Sequence, residues 1–502
     1  MNAPTINPSA TSRSRTPGLQ PALEILVSMA SIAAATLAFI MGWLSCNQAA
    51  VLTLGLLLSL TGLAWIRFDG GRHPCFLFLC TLTLFQAGRV MAYCAGGVTD
   101  MFQVTLMTSY PFSVPGNAVA LVLVSLALSA VCIYAPCRWH YRAFAPPGKG
   151  SCGRFLPYLY LLFCWSVPVQ LYKNFCYYQY ARDHGGYLAL FLDRGGLVSS
   201  VPLAVRAVSM VSLPAFAGVF VLEGRKRLLS IATAVYFTIS APILLLGSRG
   251  ALFGLVVSLW YVAKVKSGQP ARLHTAGFLA VALVVVGSLV GSVRDENGSS
   301  EALTGPTQFL TNQGVSLDVT EIAFAYRSSF APHIGSYLSG ELQEAFFPAD
   351  RMAYVAGRNF DADVSMFLSP AAYALGCGTG SSYLAEAYLA GGLAGVLIVS
   401  LLLGFLFHGM HRAVRHPFGL YLVALLLPDV LWMPRGDLLA WVSAALRMGI
   451  SMLLLLTGWY LYQAIARIGG AVLPGRLPGG WRGYDAPGQP LPKSRFPTLG
   501  VE

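Results

Sequence analysis

The stretch SSYLAEAYLAGGLAGVLIVSLLLGF, residues 381–405, carries one ionisable side chain, Glu386, and no charge from Ala387 to Phe405. A helix needs about 20 apolar residues to cross the hydrocarbon layer, at roughly 1.5 Å of rise each. The stretch therefore reads as a membrane span. Glu386 falls about one turn inside it, where an ionisable group needs a partner or a wet cavity. Gly391, Gly392 and Gly395 read as positions that let a neighbouring helix approach closely.

Runs of the same kind recur along the chain. Twelve spans are predicted, near 23–44, 49–66, 75–95, 116–135, 155–173, 200–222, 228–246, 250–264, 274–293, 381–407, 417–433 and 438–466. The composition agrees: 56% hydrophobic and 11% charged residues over 502 positions, against about 25% charged in soluble proteins. The runs are continuous and do not alternate, which argues against a β-barrel. The eighth is short. In ILLLGSRGALFGLV (Ile243–Val256) a lone Arg249 separates it from the seventh. That pair reads equally as a tight hairpin or a re-entrant segment. The chain divides into a disordered cytoplasmic N-terminus (1–22), transmembrane helices (23–293), one large periplasmic loop (294–380), further transmembrane helices (381–466) and a cytoplasmic tail (467–502). The fold class is an all-α polytopic membrane protein with about 12 transmembrane helices and that one large loop.

The sides follow from Lys and Arg. With the N-terminus in the cytoplasm, 21 of the 33 basic residues fall on inner segments, and the first two outer loops have none. The net charge of +12 is then a topology signal and an attraction to anionic lipid, not a sign of nucleic-acid binding. The other twelve break the pattern. Arg89, Arg206 and Arg447 lie within spans, while Lys173, Arg182, Arg194, Arg249, Arg294, Arg327, Arg351, Arg358 and Arg435 lie outside or at the outer rim. Arg presents a planar fork of donors suited to phosphate. Individually such residues are interfacial snorkels or ion-pair partners. As an outward-facing set they point to an anionic ligand.

The 294–380 loop concentrates polar residues: Glu321, Arg327, His333, Tyr337, Glu341, Glu344, Arg351, Arg358, Asp361 and Asp363. A loop this long is usually functional, and it is expected to fold as a lid over an outward-facing cavity. Ser316 or Asp318 is expected to cap a short helix in SLDVTEIAFAY. His333, Glu386 and Glu321 are the candidate general bases. Asp361 and Asp363 in FDADVS mimic a metal-binding DxD, but two acids in a loop do not make a metal site. Gly376, Gly378 and Gly380 in GCGTGSS precede a helix and read as an anion-binding turn or as a flexible entry to the span. Ten dispersed cysteines show no metal spacing. Cys176 and Cys377 are both expected outside, where they could pair.

Four features line up on the outer side: GSRGALFGLVVSLWYVAK (247–264), the long loop, GTGSSYLAEAYLAGGLAGVLIVSLLLGFL (378–406) and PRGDLLAWVSAALRMG (434–449). Together with the span count they make the chain resemble the Wzy-type O-antigen polysaccharide polymerases. The resemblance implies a bacterial inner-membrane glycosyltransferase of the lipid-donor type. Such an enzyme transfers a growing glycan from undecaprenyl diphosphate onto an incoming lipid-linked repeat unit at the periplasmic face. It uses no nucleotide sugar and no cofactor, and it fits the cytoplasmic placing of both termini expected from the Lys and Arg distribution. The implied partners are lipid-linked oligosaccharides, membrane lipids and a chain-length regulator protein; nucleic acid is not among them. Arg249, Arg327 and Arg435 match the family's arginine roles, with His333 a weaker match, and Arg351 and Arg358 join them as diphosphate-binding candidates. The chemistry is consistent: Arg forks stabilise charge growing on a diphosphate leaving group, and Glu or His takes the acceptor's proton, without a metal. Two other functions stay open. A ligase that attaches finished glycan shares the architecture, and RFDGGRHP (Arg67–Pro74) resembles a loop of facilitator-type transporters.

Overall fold

The computed structural model describes residues 19–98, 101–104, 112–141, 155–184, 194–245, 250–294, 305–344, 354–374 and 378–472. Helices occupy nearly all of them: α1 (Leu19–Ile40), α2 (Cys46–Arg67), α3 (Pro74–Cys94), α4 (Gly116–Trp139), α5 (Leu156–Asp183), α6 (Arg194–Ser199), α7 (Leu203–Ser209), α8 (Ser212–Leu222), α9 (Lys226–Leu245), α10 (Gly250–Ser267), α11 (Leu273–Arg294), α12 (Pro306–Gln313), α13 (Val315–Ala325), α14 (Arg327–Phe330), α15 (Ile334–Glu344), α16 (Phe360–Leu368), α17 (Pro370–Ala374), α18 (Tyr383–Ala413), α19 (Pro417–Trp432) and α20 (Ala440–Val472). Gln103–Val104 and Phe112–Ser113 make a two-residue antiparallel pairing. Most of the N-terminal segment, the chain beyond Val472, Arg249, Arg351 and Cys377 lie outside the described residues. So do the choice between a hairpin and a re-entrant segment at Arg249 and the Cys176–Cys377 pairing.

Every expected span coincides with helix. Among the described residues, eight helical stretches are long and apolar enough to cross a membrane. The protein is thus all-α and polytopic. The expected 200–222 span is divided: Pro202 opens α7 as its N-cap, and a break near Met210 separates α7 from α8. Local chemistry sets several starts. Ser45 and Gln48 form a reciprocal capping box on α2, at 3.3 and 2.9 Å. Pro74 occupies the first turn of α3, where a missing N–H costs nothing, and His73 caps it through Nδ1. Some buried hydroxyls bond backward along their own helix, as Thr83 does to the Leu79 carbonyl at 2.7 Å.

One group of packed helices comprises α1, α2, α3, α4 and α18, and a second comprises α5, α8, α9, α10 and α19. α4 meets α18 where Gly404 lets the Ile133 carbonyl come close, and Ser129 bridges Tyr383 and Ser400 at 2.8 and 2.7 Å. From Leu454 onward the end of α20 forms a separate compact unit. The segments expected on the inner side meet one another. Ala271 N–H donates to Gly70 O at 3.2 Å, Arg72 reaches Gly268 O at 2.7 Å, and Glu24 holds Arg67 and Arg138 at 2.9 Å each. Lys266 caps the Phe220 and Glu223 carbonyls at 2.6 and 2.9 Å.

Three expectations change. The 294–380 segment does not lie wholly over the bundle as a lid: Val315–Phe324 of α13 is buried throughout, wedged against α3, α4 and α18. Ser316 and Asp318 lie inside that helix rather than capping it, because Gly314 holds the cap position. The wedge seats by backbone contact. A Cβ at Gly88 would meet Leu310 O at 2.6 Å, and one at Gly314 would meet the Arg89 backbone nitrogen. In α18, Gly391 and Gly392 have open space around them and non-helical dihedrals, with φ +60° at Gly392. They kink the helix instead of admitting a neighbour.

Gly314→Val should lower the thermal unfolding midpoint of the detergent-solubilised protein, because overpacking of this kind costs about 1–3 kcal/mol. Gly335→Ala, at a helical site with nothing within 4 Å, should leave the midpoint unchanged or raise it slightly. Equal midpoints for wild type and Gly314→Val would show that the wedge is not closely seated.

Candidate functional site

A helix buried on all sides must satisfy its polar groups within the protein. α13 carries Asp318, Thr320 and Glu321, all fully buried. Asp318 pairs with Arg89 of α3 at 2.6 Å, with side chains 0% and 4% exposed. One turn before Arg89, Gln86 joins three segments. Its amide nitrogen donates to Pro434 O at 2.7 Å and to the Ser382 hydroxyl at 3.0 Å, and its oxygen accepts from Thr320 at 3.3 Å. Gln86 thereby ties α13, the start of α18 and the 3-10 turn Met433–Arg435 to α3.

Beside that hub lie three carboxyl groups. Glu341 of α15, Glu386 of α18 and Asp437 of the turn each place an oxygen within 4.8 Å of the others. Glu386 is fully buried, Glu341 8% exposed, and Asp437 half-buried. Glu386 accepts from the Ser381 hydroxyl at 2.5 Å and from Leu438 N–H at 3.0 Å. Glu341 accepts from Leu439 N–H at 2.6 Å, and the Ser443 hydroxyl bonds its backbone carbonyl at 2.7 Å. Among the described residues no donor reaches the other carboxyl oxygen of Glu341. Burial, and then the neighbouring Glu386 and Asp437, push the Glu341 carboxyl well above the ordinary carboxylate range. Like charges this close cannot all stay ionised, so one proton is shared within the cluster. An oxygen set of this kind is what a hard divalent cation would take. Here donors from Ser381, Leu438 and Leu439 already engage it, which suits proton storage and transfer.

The expected site residues separate into groups. Glu386 is in the cluster. Arg435, two residues before Asp437, donates to Asn312 O at 2.9 Å and Gln313 Oε1 at 3.0 Å, tying the turn to α12. Arg327 is exposed, its guanidinium 5.5 Å from the Tyr388 ring centre, and Tyr388 stacks on Phe324. Glu321 is fully buried on α13, three residues from Asp318. His333 is exposed and packs against Gly357, next to the half-exposed Arg358. Asp363 accepts from Tyr337 at 2.6 Å, Tyr354 at 2.9 Å and Gly357 N–H at 2.9 Å, so it organises the loop. Gln86, Glu341 and Asp437 were not among the expected site residues. Gln86 and Arg89 do carry a signal, as two polar groups one turn apart inside an apolar run.

Apolar helices around a buried polar hub, with three carboxyl groups gathered beside it, define a polytopic membrane protein with an ionisable site. The model of the family described as O-antigen polysaccharide polymerase Wzy matches residues 25–463, and the chain belongs to that family. It is therefore a glycosyltransferase-type polysaccharide polymerase acting on lipid-linked oligosaccharide repeat units in a membrane. No curated protein and no solved structure matches it.

Arg89→Met should cost about 3–5 kcal/mol, since it strands a buried carboxylate, whereas Arg89→Met with Asp318→Leu should recover much of the loss. Thermal unfolding of the three proteins decides this; equal losses in the single and double variants would deny the pairing. The raised Glu341 carboxyl also has a sign. The folded state holds the proton above the unfolded value of about 4.3, so stability falls as pH rises from there through neutrality. Glu341→Gln should keep the fold and flatten the decline in melting temperature between mildly acid and mildly alkaline buffer. An unchanged slope would place the titration elsewhere.

Proposed function

We propose that the protein transfers a growing glycan from undecaprenyl diphosphate to an incoming lipid-linked repeat unit, at the periplasmic face of the bacterial inner membrane. Family membership supports the reaction class. The Lys and Arg bias supports the sides, with both termini in the cytoplasm, residues 294–380 periplasmic, and 23–293 and 381–466 membrane-embedded. A chain-length regulator protein is the proposed partner.

The observation that carries the mechanism is the Glu341–Glu386–Asp437 cluster, with Arg435 two residues before Asp437. The acceptor hydroxyl attacks the anomeric carbon of the donor. The bond from that carbon to the phosphate oxygen breaks, and diphosphate leaves with the electron pair. The acceptor's proton passes to the carboxyl cluster, in which Ser381 and Leu438 hold Glu386 in place and half-buried Asp437 gives contact with water. Arg327, Arg358 and Arg435 supply forks for the developing diphosphate charge, with Arg249 and Arg351 assigned the same role. Arg435 has a second duty, since its bonds to Asn312 and Gln313 hold the turn against α12. Glu321, sealed within α13, and His333, on the loop surface, are secondary candidates for the base.

In a strain lacking the chain, expression of Asp437→Asn or Glu386→Gln should give single repeat units capped on the acceptor instead of a polymer ladder. Removal of a general base lowers rate by about a hundredfold or more. Protein levels should match wild type. A normal ladder from both variants would remove the cluster from the mechanism. Uncapped full-length lipid-linked polymer in the deletion strain would point to a ligase.

A further inference from the structure

At the end of α3 away from Arg89, three fully buried side chains converge. His73 is the N-cap of α3, Cys75 is its second residue, and Cys137 lies near the end of α4; each is 0% exposed. One ligand-type atom from each lies within 4.8 Å of the others. His73 Nε2 is buried with no hydrogen-bond partner among the described residues, and Nδ1 accepts only the 3.2 Å cap bond from Cys75 N–H. The Cys137 thiol donates to Gly404 O of α18 at 3.2 Å. The His411 ring, from the end of α18, stacks on His73 with centroids 4.6 Å apart. His73 Nε2 becomes open as a ligand atom once the ring proton moves to Nδ1.

We propose that His73, Cys75 and Cys137 bind a single Zn²⁺-type ion that clamps the start of α3 to the end of α4. Two thiolates and one imidazole are the donor set that zinc selects. Zn–S bonds of about 2.3 Å and Zn–N bonds of about 2.0 Å set tetrahedral ligand atoms roughly 3.5–4 Å apart, within the observed limit. Binding releases the two thiol protons, and the thiolate charges balance the dication. The imidazole keeps its one proton on the nitrogen that does not face the ion, and the weak cap bond to Cys75 N–H is given up. On the topology proposed above this end faces the cytoplasm, where thiols stay reduced. The ion would hold the start of α3 against the end of α4 in place of the Cys137 thiol's bond to Gly404 O, and α3 carries Gln86 and Arg89 toward its other end. Its role is structural, and no step of the polymerase reaction passes through it.

The test uses the full chain, purified in detergent under reducing conditions with an affinity tag that binds no metal. Elemental mass spectrometry should find about one zinc per chain, falling to about a tenth or less in Cys75→Ser/Cys137→Ser. Exchange of wild type into Co²⁺ should add a thiolate-to-cobalt absorption in the near ultraviolet, a readout that needs neither the variant nor polymerase activity. Wild-type protein that is isolated without metal and, once reduced, takes up neither Zn²⁺ nor Co²⁺ would overturn the proposal. So would a covalent link between Cys75 and Cys137.

Discussion

A guanidinium and a carboxylate, Arg89 and Asp318, meet at 2.6 Å where neither side chain reaches water. Neither charge is tolerable there alone, so each requires the other to be in place. That requirement draws α13, from the longest segment between spans, into the interior of the bundle beside α3. Gly88 and Gly314 make the approach possible by leaving the backbones bare where they touch. The pair adds little net stability against two well-packed apolar residues. It adds specificity, since another seating of α13 would strand both ions.

The site follows from that seating. With α13 in place, Gln86 reaches Thr320, Ser382 and Pro434 at once, which sets the start of α18 against the turn that ends α19. Glu386 then lies beside Asp437, and α15 brings Glu341 to both. Three carboxyl groups in so small a volume hold a shared proton, a useful property in an enzyme that must take one from a sugar hydroxyl. The kink at Gly391–Gly392 lies just below this cluster. It lets the first turns of α18 belong to the site while the rest of the helix packs on α4.

Much of this was legible in the sequence, and the failures have physical causes. Span positions follow from apolar run length, which a bilayer enforces almost without regard to neighbours. Glu386 stands out because an acid inside an apolar run is costly to keep unless it serves a site. α13 did not read as an interior element. Its mixture of Asp318, Thr320 and Glu321 with apolar residues looks like a surface helix until its partners on α3 are known. The two glycines of α18 matched both close packing and a kink, and only their open surroundings separate those uses. Arg435 read as an outward fork for a ligand, yet its described hydrogen bonds run to α12, a pairing that no local pattern announces.

The sequence by itself determined the class of protein, the apolar runs that become its long helices, and the family. Those properties depend on sums over a segment, and sums survive without knowledge of contacts. The tertiary structure alone decided which polar groups meet: Arg89 with Asp318, Gln86 with three segments, Glu341 with Glu386 and Asp437, and His73 with Cys75 and Cys137. Such meetings join residues far apart in the chain. Their energies come from low dielectric and close geometry, neither of which exists until the helices have packed.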